Sequence, residues 1–272
     1  MRTEVLTAAL CGAVFCALIP ASAAAQDAPA SEQPGQGDTV FVGLGVAAVP
    51  RFEGGDSYRP VPLPVLRANR QYRYISVEGP VTRVNIVNSP DFEFGPLLNI
   101  VLNRSGNLGS DAVEQLESVK AAAEAGAFVA RSWQVSKTGR VRLSVEASHD
   151  FTGVHDGWQA KALVGFATRL SPRFDLGAAA TVGFADTGYA ETYFAVTPEG
   201  AAASGPAQYE LGSGIKDVGL GVTARYSLSR RMSLVAIGSY RRLLGEFADS
   251  PIVAVEGSPN QLFAGLALGY AF

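Results

Sequence analysis

Two histidines stand six residues apart in the stretch SHDFTGVHDG, and each is followed by an aspartate: His149-Asp150 and His155-Asp156. An imidazole beside a carboxylate is suited to general acid–base work and to metal binding. Two such pairs this close could form a rim hydrolase or a small metal site, with Ser144 and Ser148 near enough to be weighed beside them. Ser148 and His149 are adjacent, however, and on a strand they project to opposite faces. The same stretch also reads as a polar surface loop built on Asp-Gly turn chemistry. That reading is preferred, and no catalytic, cofactor-binding or metal-ligating residue is assigned. Glu53-Gly54-Gly55-Asp56 has an acidic look but lacks a full calcium-ligand loop. The Gly-rich GLGVAAVP is followed by no helix that could hold a phosphate. No run of basic residues suggests a nucleic-acid partner.

The segments that must position these groups begin with an export signal. Met1 to Glu4 carries one basic side chain, Arg2, and an apolar run follows from Val5 to Ile19. Pro20 breaks it, and small residues follow. This is the layout of a signal peptide over 1–25, cleaved after Ala23 or Ala25. The run is shorter than the ~20 residues that span a bilayer as a helix, which disfavours an anchor. Cys11 and Cys16 both lie inside it, so the mature chain carries no thiol chemistry and no disulfide. Residues 26–38, QDAPASEQPGQGD, are polar and rich in Pro and Gly and read as a flexible periplasmic leader.

From Thr39 onward the period is two. Trp158, Ala160, Ala162, Val164 and Phe166 share one face; Gln159, Lys161, Leu163 and Gly165 share the other. Val218, Leu220, Val222, Ala224 and Tyr226 oppose Asp217, Gly219, Gly221, Thr223 and Arg225. Many runs exceed the ~5–6 residues of a soluble strand and suit a tilted strand crossing a bilayer. We expect about twelve strands, at 39–49, 60–68, 71–78, 81–88, 92–102, 118–131, 139–150, 157–170, 173–186, 215–229, 231–245 and 261–272. Pro60, Pro62 and Pro64 sit awkwardly in the second, because proline removes ladder donors. In 231–245 either face could be the apolar one. Short connections at 68–71, 88–91, 170–173 and 228–231 alternate with long ones near 50–59, 103–117, 187–214 and 246–260. That alternation, an even strand number and aromatic strand ends predict an all-β fold: a transmembrane antiparallel up-and-down β-barrel over 39–272, in the outer membrane of a Gram-negative envelope.

The end of the chain fits this. Leu262, Ala264, Leu266, Leu268, Tyr270 and Phe272 alternate onto one face of the last strand, which must pair with the first to close the barrel. Leu266, Leu268, Tyr270 and Phe272 resemble the terminal signal read by the barrel assembly machinery. The opposite faces predict lumen charges: Lys120, Glu124, Arg140, Arg142, Glu146, Lys161, Arg169, Arg173, Asp175, Asp217 and Arg225. These could line a polar channel or fill a narrow lumen with ion pairs, and twelve strands lies between filled small barrels and open porins. The filled lumen is preferred. The longest loop, 187–214, carries Tyr189, Tyr193, Phe194 and Tyr209 and either folds into the mouth or meets the outside.

Three stretches go further: GLGVAAVPRFEGGDSYRPVPLP, ADTGYAETYFAVTPEGAAASGPAQYELGSGIKD and YRRLLGEFADSPIVAVEGSPNQLFAGLALGYAF. They resemble the MipA/OmpV family of outer-membrane proteins, the MltA-interacting proteins, over essentially the whole mature chain. The family often has Gly where Ala195 stands. The resemblance implies an outer-membrane barrel in contact with lipid and lipopolysaccharide, without enzymatic activity or cofactor. It also implies a scaffold that joins a lytic murein transglycosylase to a murein synthase; other members are described as antigens or adhesins. The short periplasmic turns leave little visible room for such docking, the most being at 26–38 and 132–138.

Overall fold

The computed structural model describes residues 38–272. The expected signal peptide and all but the last residue of the leader lie outside the described residues. Twelve antiparallel strands close into one barrel in sequence order, with β1 hydrogen-bonded to β12. They are β1 (Thr39–Pro50), β2 (Tyr58–Arg70), β3 (Arg73–Glu78), β4 (Val81–Asn85), β5 (Phe92–Val101), β6 (Ala122–Gln134), β7 (Gly139–Asp150), β8 (Trp158–Ser171), β9 (Phe174–Ala185), β10 (Gly214–Ser227), β11 (Met232–Leu243) and β12 (Asn260–Ala271). The seam runs from Phe41 opposite Ala271 to Ala48 opposite Ala264. The Phe272 N–H donates to Val40 O at 2.9 Å and finishes it.

Side chains on the outer wall are apolar and exposed. Leu44 is 68% exposed and Leu220 63%, and Val46, Val145, Val164, Leu262 and Leu266 share this surface. A contiguous apolar belt of this kind needs an apolar partner. The inner wall is uneven. Between β1, β2 and β12 it is itself apolar, through Ala47, Val49, Val61, Leu63, Phe263 and Ala267. Ile237 packs against this cluster, so the ambiguous strand β11 turns Val235 and Ile237 inward. Lower down, Tyr74, Leu97 and Phe128 form an apolar cluster on one side of the lumen wall.

The three prolines find their reason in the shortest hairpin. β3 pairs with β2 only from Val65 opposite Glu78 to Arg70 opposite Arg73, so the outer half of β2 has β1 as its single partner. Pro60, Pro62 and Pro64 share a parity and face Ala48, Val46 and Leu44. On that parity main-chain groups point away from β1: Pro64 O accepts from Gly79 N–H at 3.1 Å. The prolines therefore delete the donors that would otherwise face an unpaired edge. β4 stops at Asn85 rather than at residue 88, because the Asn85 side chain takes over the local main chain. Its Oδ1 accepts from Val87 N–H and Phe94 N–H, each at 3.1 Å.

All the helices of the described residues lie at the long-loop end: α1 (Asp111–Glu114), α2 (Thr187–Phe194), α3 (Pro198–Ser204), α4 (Gly245–Asp249) and α5 (Pro251–Ala254). Asp186 caps α2 through a bond from Tyr189 N–H at 3.1 Å. The long loops form a plug with its own apolar centre, where Tyr189, Ala190, Tyr193 and Phe194 pack on Val101, Ala185, Leu243, Phe247 and Val253. A second cluster unites Phe52, Leu108, Val113, Leu116, Val196 and Ile252 from all four long loops. The 187–214 loop thus folds into the mouth.

Candidate functional site

Beneath the plug lies a cavity of about 110 Å³. Its wall is made by strand ends and by loops that meet there. A register shift in β10 between Ile215 and Asp217 turns both Lys216 and Asp217 inward, where each is 4% exposed. A bulge re-aims a side chain in this way, and strict alternation would have put Lys216 outside. Glu53, from the β1–β2 loop, answers it: its carboxylate lies 3.1 Å from Lys216 Nζ and 3.1 Å from Arg241. The Tyr189 hydroxyl donates to the same carboxylate. Lys216 Nζ also donates to Gln159 Oε1 at 2.8 Å and sits 4.3 Å from the centre of the Tyr189 ring. These contacts join the loop plug to the barrel wall.

Burial alone would raise the Glu53 pKa, but the charges of Lys216 and Arg241 and the bonds from Tyr189 and Lys216 outweigh it and hold the group at about 2. Burial and the Glu53 charge push the Tyr189 phenol well above its ordinary range. A depressed carboxyl stabilises the fold above its ordinary pKa of 4.5, and the contribution is lost as the pH falls toward 2. At full strength it is on the order of 3 kcal/mol. Pepsin digestion of the folded barrel should therefore cut the 186–213 loop increasingly as the pH drops through this interval. In Glu53→Gln the loop should already be open at pH 4.5, and its cleavage should lose that rise. Matching profiles for the two proteins would rule out Glu53 as the latch.

The two histidines part company. His149 is on the outer side of β7, with its ring centre 4.8 Å from that of Trp158. His155 is 4% exposed and packs edge-on against Tyr189 and Tyr193. Its Nδ1 accepts from Gly157 N–H at 3.0 Å, so the ring proton is on Nε2, 3.2 Å from Glu124 Oε1. Glu124 is fully buried and accepts from Asn99, Ser148 and Gln159, at 3.0, 2.7 and 2.6 Å. The Ser148 hydroxyl proton is thus directed at a carboxylate and not at an imidazole. Asp150 organises the turn that delivers His155, accepting from the N–H groups of Thr152, Val154 and His155. Among the described residues no group of three or more His, Cys, Asp or Glu side chains is arranged to hold a metal ion.

Of the charges expected in the lumen, Glu146 pairs with Arg83 at 2.7 Å and Lys161 at 2.9 Å, and Arg142 pairs with Glu93. Asp175 is buried and bonds Arg169 at 2.9 Å, and Arg225 lies over the Phe41 ring at 4.9 Å. Asp217 is 3.4 Å from Arg241. Arg140 reaches Pro90 O at the short-turn rim. Three positions differ from the expectation, the first being Arg169, whose side chain is exposed at the short-turn rim. Lys120 is exposed and precedes the wall, because Val119 pairs with Arg104 in a loop bridge and β6 starts only at Ala122. Arg173 is exposed in the β8–β9 turn. Alternation gave no sign of Glu53, Arg104, Lys216 or Arg241. The first two come from loops, and the bulge reverses the third. Arg241 is on a strand whose two faces looked alike.

Compared with solved structures, the chain is similar in fold to an outer membrane channel from Pseudomonas putida F1, with 10% identity, a TM-score of 0.45, and coverage of 90% of this chain and 98% of that one. It is also similar to a CymD monoaromatic hydrocarbon channel, with 11% identity, a TM-score of 0.42, and coverage of 87% and 89%. A third is the anion-selective porin from Comamonas acidovorans, with 9% identity, a TM-score of 0.40, and coverage of 86% and 98%. No curated protein matches the chain in sequence. The family model described as MltA-interacting protein MipA matches residues 42–272, which is most of the chain. With that match over the whole barrel, the chain belongs to the MltA-interacting protein MipA family.

Proposed function

We propose that this protein is a non-enzymatic barrel of the Gram-negative outer membrane that holds partners at its periplasmic face. Its apolar outer belt suits lipid, and short turns mark the periplasmic end of such barrels. The observation that carries the reading is the charge of the two rims. At the short-turn end Arg70, Arg73, Arg131, Lys137, Arg169, Arg173, Arg230 and Arg231 are exposed, against Asp38 and Asp91. At the long-loop end ten acidic residues are exposed, among them Asp111, Glu114, Glu117, Glu191 and Glu246, against Lys120 and Arg242. A ring of one sign steers and orients an oppositely charged partner, with strong salt dependence. Short turns therefore suffice for docking, because charge rather than loop length provides the contact. The family description supports a lytic murein transglycosylase as that partner, and a murein synthase joined to it completes the scaffold reading. Leu266, Leu268 and Tyr270, on the outward face of β12, and Phe272 just after it are the segment we assign to the assembly machinery.

The test is a pulldown from mildly solubilised envelopes at low salt. The intact protein should recover a murein hydrolase. A variant with Arg70, Arg73, Lys137, Arg173 and Arg230 changed to Gln should fold and lose most of it. Equal recovery by both, or no murein enzyme with either, would refute the docking role. Discrete conductance of the intact barrel in a planar bilayer would favour a narrow channel instead.

A further inference from the structure

The cavity beneath the plug holds polar groups that the protein leaves without partners. Asn99, Arg104 and Tyr193 line it, and they are 7%, 6% and 4% exposed. Asn99 Oδ1, Arg104 Nε and the Tyr193 hydroxyl have no hydrogen-bond partner. Each of these side chains is otherwise well fixed. Arg104 donates to Tyr193 O at 2.9 Å and to Glu117 O at 3.3 Å, and Asn99 donates to Glu124 at 3.0 Å. Buried polar groups are almost always satisfied, by protein, water or ligand. The kinds of group give a second indication: Arg104 Nε and the Tyr193 hydroxyl can donate, and Asn99 Oδ1 can only accept. The lining contains four cations, Arg104, Lys161, Lys216 and Arg241, and three carboxylates, Glu53, Glu146 and Asp217, and Glu124, bonded to the lining residues Asn99, Ser148 and Gln159, is a fourth. The first three carboxylates are paired with Lys216, Lys161 and Arg241. Arg104 bonds carbonyl oxygens through its other nitrogens, and the Glu117 carboxylate acts on its charge.

We infer that this chamber is a binding site for a small hydroxy-carboxylate. Its carboxylate accepts from Arg104 Nε and the Tyr193 hydroxyl, and its hydroxyl donates to Asn99 Oδ1. The chamber volume admits a molecule of a few heavy atoms and little more. Val101 and Asn103 line the chamber beyond the last β4–β5 pair, Val81 opposite Asn99, and Ser57 Oγ donates to Leu108 O at 3.0 Å to hold the following loop. The site does not depend on the rim docking proposed above.

The test uses the full barrel in detergent micelles, with calorimetry and thermal unfolding read against lactate, propionate, lactamide and ethanolamine. Lactate should bind saturably and raise the unfolding temperature. Propionate lacks the hydroxyl and should bind several-fold more weakly, and lactamide and ethanolamine should not bind. Tyr193→Phe removes only the unpartnered hydroxyl, so the barrel should fold as before. Its affinity for lactate should fall roughly ten- to a hundredfold, the effect of one bond to a charged group. Absence of saturable lactate binding, equal binding of the amide or amine, or unchanged affinity in Tyr193→Phe would each overturn the assignment and leave water as the occupant.

Discussion

Leu220→Arg, and separately Leu44→Arg, will sharply reduce the yield of folded barrel in lipid vesicles. Both leucines are near mid-strand on the outer wall, with 63% and 68% of their surface exposed. On a water-soluble protein such exposed leucines are the safest sites for a charge, and the change would fall within about 0.5 kcal/mol. On a wall facing hydrocarbon, arginine at mid-depth costs about 2–4 kcal/mol. The two solvents therefore predict different outcomes for one substitution. The loss corresponds to roughly one and a half to three decades in the folded ratio per site, readable as heat-modifiable gel mobility after refolding. Leu220 faces Ala180 and Tyr240 on the neighbouring strands, and Leu44 faces Leu268 and Pro64. The sites lie apart on the wall, so the losses should add. Arg225, near the short-turn end of β10, faces the lumen, and Arg225→Leu serves as the control that alters charge without altering the belt. If both arginine variants refold as well as the parent, lipid is not the solvent of this surface.

The same alternation that makes this prediction made most of the barrel readable in the sequence. From β6 to β12 each strand is long and, β11 apart, its two faces differ in chemistry, so strand number, seam and most outward faces follow from a period of two. Legibility failed where another force outweighed the pattern. Pro60, Pro62 and Pro64 argued against a strand and in fact mark one whose outer half has a free edge. Val235 and Ile237 face inward because part of the lumen wall is apolar. The chamber was legible only in part. Glu124, Glu146 and Lys161 follow from alternation, but Lys216 is turned in by a bulge that leaves no sign in composition. His155 looked like a loop residue and is buried, because Asp150 gathers the N–H groups of the turn and folds it inward. The basic rim has a different cause of invisibility. Its charges come singly or in pairs from separate hairpin turns, so no basic run exists until the barrel closes.

Plug and barrel should also separate energetically, and Phe194→Ala is the variant that shows it. Phe194 is fully buried, and its ring meets Phe247 edge-on at 5.2 Å. Its carbonyl accepts from Ser250 Oγ at 2.6 Å, which ties α2 to the loop after β11. Removing a buried phenyl costs about 3–5 kcal/mol in transfer and cavity terms. Here the loss falls on the loop cluster, since Phe194 belongs to no ladder. The open form of the plug should gain about two to three and a half decades in population, seen as rapid proteolysis within 195–213. Heat-modifiable mobility of the barrel should stay where it was, because the ladder of twelve strands is untouched. The lumen should remain electrically silent, because the side chains that project into it below the plug are untouched: the Tyr74, Leu97 and Phe128 cluster, the Arg142–Glu93 pair and Arg225 over the Phe41 ring. Conductance on opening the plug alone would mean that these lower side chains form no barrier. A simultaneous drop in barrel stability would mean that the mouth and the wall are one cooperative unit, held together through Glu53 and Lys216.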